Sequence, residues 1–126
     1  MKYLGIDYGT KRIGLALSDE DGVLAFPHKV IQNKSRANTE IIQIAKSEKI
    51  EKIVVGESLD YKNQPNQVMK NIEKFGKELN ALTGIEVLYE PEYLTSAQAR
   101  RAPGAGTRVD ASAAALILQY YLDSHV

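Results

Sequence analysis

The sequence predicts a mixed α/β fold, a five-stranded sheet with three antiparallel strands followed by two parallel ones, flanked by helices. Three observations predict it. The opening thirty or so residues hold β-forming segments punctuated by turn signals. A β-branched run, Ile53-Val54-Val55, stands between two helix-patterned stretches, as a parallel strand covered on both faces does. After it, helical and strand patterns alternate toward the C-terminus, and right-handed crossovers would join such strands in parallel.

Residues 2–8 read as a strand, and Gly9-Thr10-Lys11 as a turn into a second strand, Ile13 to Ser18. Asp21-Gly22 is a two-residue turn signal. It leads to a third strand in two pieces, Val23 to Phe26 and Lys29 to Ile31, interrupted by Pro27. Ser35 or Asn38 can cap a helix that places Ile41, Ile42, Ile44 and Ala45 on one side and ends near Lys49. Residues 57–64 read as a polar loop.

Pro65 suits the first turn of the next helix. Val68, Ile72, Phe75, Leu79 and Leu82 recur there at helical spacing, up to a stop at Gly84. Ile85 to Tyr89 forms another strand. Thr95 with Gln98 is a capping-box signature for a short helix to about Ala102, and Pro103-Gly104-Ala105-Gly106 a loop. The last helix, about Val109 to Leu122, is apolar on most sides and is expected to be buried against the sheet.

With 126 residues the chain fits one domain. It is 44% hydrophobic and 25% charged, ordinary globular usage that excludes disordered and fibrous classes. The 16 basic and 16 acidic side chains cancel, so any affinity for phosphate must be local rather than a global field. No cysteine is present, which removes disulfides, zinc-thiolate sites and a thiol nucleophile. The apolar run between Met1 and Gly9 is too short for an export signal or a membrane span, so a cytoplasmic protein without a membrane partner is expected.

Asp7 is the first candidate for chemistry, because a carboxylate inside an apolar strand needs compensation. A metal ion is one such partner; backbone hydrogen bonds from the Gly9-Thr10 turn are another. Gly5, Gly9 and Gly14 leave the backbone around Asp7 open, and Thr10, Lys11 and Arg12 set a hydroxyl and two cations beyond it, as a phosphate-handling turn requires. Asp110 begins an apolar helix, where an acid is favourable in its own right. From there it could also meet Asp7 at the sheet edge, and two converging carboxylates need a cation between them.

Glu57 and Glu90 follow strands, the place where α/β sheets put their sites, and Glu92 lies just beyond. Hard oxygen ligands without cysteine favour Mg²⁺ or Mn²⁺ over zinc. The chemistry such a set performs is phosphodiester hydrolysis at a two-metal site. Lys11, Arg12, Arg100, Arg101 and Arg108 are candidates to hold flanking phosphates. His28 and His125 are assigned no chemistry, and Tyr3, Tyr89, Tyr120 and Tyr121 read as packing. Tyr8 and Tyr93 are the two tyrosines placed near the candidate acids.

The segment 5–16, GIDYGTKRIGLA, closely resembles the first-strand motif of YqgF (RuvX-like) proteins, and 109–118, VDASAAALIL, resembles their last-helix motif. Between them IVVG at 53–56 and EYLTSAQA at 92–99 resemble the fourth- and fifth-strand segments, so the resemblance runs along nearly the whole chain. It implies an RNase H-like fold. It also implies a nuclease, of the kind assigned either to processing of the 5′ end of pre-16S ribosomal RNA or to Holliday-junction resolution; of the two, the RNA precursor is favoured as substrate. Carried over by position, the acidic triad is Asp7, Glu92 and Asp110.

Three departures from the family pattern stand out. Its Asp-Glu-Arg is here Pro91-Glu92-Tyr93, which removes a carboxylate and an arginine, and Glu90 could make good the carboxylate. Its Gly-Leu-Pro is Gly56-Glu57-Ser58, so Glu57 lies where RuvC-type resolvases place an acidic ligand. The loop before Asp110 is short, with Arg108 the match for a usual lysine.

Two rival readings remain open from sequence. A sugar-kinase-like phosphotransferase shares the Asp-Tyr-Gly-Thr opening, yet one small domain offers no second jaw to clamp a nucleotide. A non-catalytic RNA-binding module would keep the fold and tolerate the altered fifth-strand motif. Monomer and homodimer are both compatible with the sequence; a junction resolvase would need the dimer.

Overall fold

In a computed structural model of the chain, residues 1–57, 67–91 and 107–125 are described, without the side chains of residues 67, 68, 107–110 and 125. The described elements are β1 (Tyr3–Tyr8), β2 (Arg12–Ser18), β3 (Ala25–Gln32), α1 (Ala37–Ser47), β4 (Lys52–Glu57), α2 (Gln67–Thr83), β5 (Glu86–Pro91) and α3 (Thr107–His125). They form a five-stranded sheet in the order β3-β2-β1-β4-β5. β1 to β3 are antiparallel neighbours, and β4 and β5 extend the sheet in parallel from β1, as the sequence predicts.

Side-chain alternation along the central strands divides the core between two faces. Leu4 and Ile6 of β1 and Ile53 and Val55 of β4 pack with Ile41 of α1 and Ile72, Phe75 and Leu79 of α2. Tyr3 of β1 and Val54 of β4 pack with Ala114, Ile117, Leu118 and Leu122 of α3. Both faces of β4 are therefore covered, which is why its sequence is continuously apolar instead of alternating. No described helix is long and apolar enough to cross a membrane.

The structure departs from the sequence reading in five places. β3 is one strand: Leu15 pairs with Lys29 and Ala16 with Pro27, so His28 is the extra residue of a bulge at the outer edge. An edge strand tolerates a proline that has no N–H to give. The turn before it is wider than Asp21-Gly22 alone. Asp19 N–H donates to Leu24 O, and the Asp19 carboxylate accepts from Val23 N–H and Leu24 N–H.

Neither Ser35 nor Asn38 caps α1, whose N-cap is Arg36 without a side-chain bond; Asn38 lies inside the helix, where its Nδ2 donates to Glu78 of α2. Leu82 is exposed, since the helical advance leaves it at the margin of the stripe set by Met69, Ile72 and Leu79. Tyr120 is exposed as well, because Tyr121 and Leu122 take the sheet-facing positions of that turn. Pro65, loop residues 58–64, the Thr95–Gln98 helix and the 103–106 loop lie outside the described residues.

Candidate active site

Asp7 has the parity of Tyr3 and Gly5 on β1, so it belongs to the α3 face. It is buried, at 8% exposure, near the C-terminal end of the central strand and opposite Gly14 of β2. Ser18, the other buried polar side chain among the described residues, accepts from Tyr3 N–H and donates to Asp19 O, which accounts for its burial.

Packing of α3 on β1 fixes which helical turn stands over Asp7. The Tyr3 and Tyr121 rings lie 5.9 Å apart. Two residues along the strand, a Cβ on Gly5 would meet Leu118 Cβ at 2.8 Å and the Ala114 carbonyl oxygen at 3.0 Å. The helix therefore runs antiparallel to β1. Two further strand residues advance about 6.6 Å and four helical residues about 6 Å, so the step from Gly5 to Asp7 matches the step from Ala114 to position 110. The α3 backbone thus brings Asp110, in its first turn with Arg108, to the level of Asp7.

The turn after Asp7 is held from outside. A Cβ on Gly9 would lie 2.4 Å from Arg12 O, so only glycine fits the tight reversal. Asn33, just after β3, clamps the same turn: its Nδ2 donates to Gly9 O at 2.8 Å and its N–H to Lys11 O at 2.9 Å. The sequence reading missed Asn33, and its only sequence signal is an asparagine directly after a strand. Thr10, Lys11 and Arg12 are exposed at this end of the sheet, beside Asp7.

Glu57 and Glu90, expected after their strands, instead lie within the ends of β4 and β5 and divide between the faces. Glu57 has the parity of Ile53 and Val55, the α1/α2 side. There it helps to raise the Tyr89 phenol, which is pushed up first by burial and then by Glu73 and Glu57. Glu90 has the parity of Leu88, the α3 side, and its charge is among those that raise the Tyr121 phenol after burial and Tyr3. Because Ile6 aligns with Val55 and Gly56 with Glu90, one transverse row carries Asp7, Gly56 and Glu90 toward α3.

Glu92, Arg100 and Arg101 lie outside the described residues, and the side chains of Asp110 and Arg108 are likewise outside them. Among the described residues no three acids, histidines or cysteines gather into a metal-holding group.

This sheet order, with an acid buried in its central strand beneath the C-terminal helix, defines the RNase H-like class of fold. The chain superposes on Thermus thermophilus RuvC, in a structure of its complex with a Holliday junction substrate, at TM-score 0.63. That match covers 99% of this chain and 96% of that one at 16% identity.

The chain belongs to the RuvX family, described as Holliday junction resolvase, whose model matches residues 1–124. A relative from Nitratidesulfovibrio vulgaris is 37% identical, covering 98% of this chain and 94% of its own length. One from Maridesulfovibrio salexigens is 33% identical over 97% of this chain and 98% of its own. Both bear the name "Putative pre-16S rRNA nuclease".

Proposed function

We propose that residues 1–126 form one nuclease domain of the cytoplasm that hydrolyses phosphodiester bonds of RNA, processing the 5′ end of pre-16S ribosomal RNA. The observation that carries this reading is Asp7, buried in the central strand at the level of the first turn of α3, in a chain of the RuvX family. The names of its relatives support RNA as the substrate.

The donor set fits a hard divalent cation: Asp7 is an oxygen donor with little access to water, and the chain has no cysteine. Asp7, Glu92 and Asp110 would hold Mg²⁺ or Mn²⁺ in a two-metal site. Strand alternation favours Glu90 over Glu57 as the further carboxylate. Such ions, when bound, supply an activated water and charge stabilisation at the leaving oxygen. Thr10, Lys11 and Arg12 on the turn, with Arg100, Arg101 and Arg108, would bind flanking phosphates and set the strand over Asp7.

The family description supports a second reading, a DNA junction resolvase. That activity would need a homodimer to cut paired strands, whereas an RNA-processing monomer would not.

Labelled single-stranded RNA, a pre-16S 5′ leader and a four-way DNA junction, each incubated with the purified protein and Mg²⁺, Mn²⁺ or EDTA, test both. Metal-dependent cutting of the leader is expected; junction cutting alone would favour the second reading, and binding without cutting would overturn both.

A further inference from the structure

A cavity of about 460 Å³ opens between α1 and α2, beyond the end of β1 and on the opposite face from Asp7. Its wall is Tyr8 against Phe75, with ring centroids 4.9 Å apart. Lys34, Asn71 and Lys74 reach its rim, and none of the three has a side-chain hydrogen bond or ion pair among the described residues. Glu78, the carboxylate of the lining, already accepts from Asn38 Nδ2 at 3.1 Å.

Tyr8 is the residue after Asp7 and turns to the other face, so a nucleic-acid strand lying across the sheet end at Asp7 would pass this cavity. The volume lies within the range of small-ligand pockets, about 300–1,000 Å³. An aromatic wall, with two ammonium groups and a carboxamide that have no side-chain partner among the described residues, is what a stacked base, its phosphate and its hydrogen-bonding edge require. We propose that the cavity is a subsite for one nucleotide of the single-stranded RNA next to the cleaved bond. The base packs on the half-buried Tyr8 ring, which the core residue Phe75 backs, and Lys34 and Lys74 take the phosphate. This inference rests on the nuclease reading for its ligand and on the α1/α2 cavity for its place.

The test is fluorescence anisotropy of a labelled single-stranded oligoribonucleotide with the full chain, in EDTA so that nothing is cut. Lys34→Ala with Lys74→Ala should weaken binding about tenfold, and Asn71→Ala by a smaller factor. Lys46→Ala, a charge loss on α1 away from the cavity, should change it less than about twofold. Thermal melts of all variants show whether they fold, and a 4-thiouridine oligonucleotide should crosslink to Tyr8.

Equal affinity in the double variant and Lys46→Ala, or crosslinks confined to the Lys11-Arg12 turn, would overturn the subsite. A protein that never cuts RNA but loses binding in the double variant retains the subsite and loses the nuclease reading. One that cuts RNA with binding indifferent to Lys34, Asn71 and Lys74 does the reverse.

Discussion

A single added carbon on Gly5 would stand 2.8 Å from Leu118 Cβ, so β1 and α3 approach as closely as bare backbone permits, and that contact sets the height of the first turn of α3 over Asp7. Because the Ala114 carbonyl oxygen also stands 3.0 Å away, backbone must move to admit a side chain. Gly5→Ala is expected to cost about 1–3 kcal/mol by overpacking, read as a lower Tm. Its kcat on RNA should fall further than the folded fraction explains, since the helix carrying Asp110 is displaced. An unchanged kcat in a folded variant would refute the positioning role.

Gln119 of α3 acts as a missing strand neighbour for the start of β3. Its Oε1 accepts from Ala25 N–H and its Nε2 donates to Val23 O, both at 2.9 Å. Gln119→Leu leaves both backbone groups without that partner and should lower stability by about 1–3 kcal/mol in urea titration. A loss near zero would mean that water replaces the side chain at this edge.

Lys49 closes α1 at φ 55°. Its N–H donates to Lys46 O and Ile50 N–H to Ala45 O, the Schellman pattern that glycine usually completes. Lys49→Gly removes the left-handed strain, at some cost in unfolded-chain entropy. We expect a net gain of about 0.5 kcal/mol, seen as a raised Tm.

Asp19 carries a stability term with a defined pH dependence. Backbone N–H groups of Val23, first, and Leu24 hold its carboxyl below the usual range. A depressed folded value stabilises above the unfolded one, so the advantage over Asp19→Asn is full at neutral pH. It fades as pH falls past about 4 and vanishes below the folded value. Denaturation curves of the two proteins should converge in acid; a gap that widens there would contradict this reading.

The strand and helix order was readable because both core faces write themselves into the sequence: Ile53 to Val55 is apolar throughout, and Ile72, Phe75 and Leu79 keep helical spacing. Features set by tertiary partners were not readable. Asn38 looks like a cap but lies inside α1, facing Glu78, and Pro27 looks like a break until an edge bulge accommodates it. Within the candidate site, Asp7 was evident as an acid in an apolar strand. The split between Glu57 and Glu90 needed the strand register, because a one-residue shift exchanges the faces. Asn33 reaches the Asp7 turn only through the pairing of β2 with β3.

The central claim is that Asp7 belongs to the catalytic centre of an RNA-cutting enzyme. Cleavage of a labelled pre-16S 5′ leader in Mg²⁺ by the unaltered protein and by Asp7→Asn, with RNA affinity measured in parallel, tests it most directly. Asp7→Asn should lose kcat by at least about a thousandfold while largely keeping affinity for RNA. Equal cleavage by the two proteins, or no cleavage by either, would contradict it.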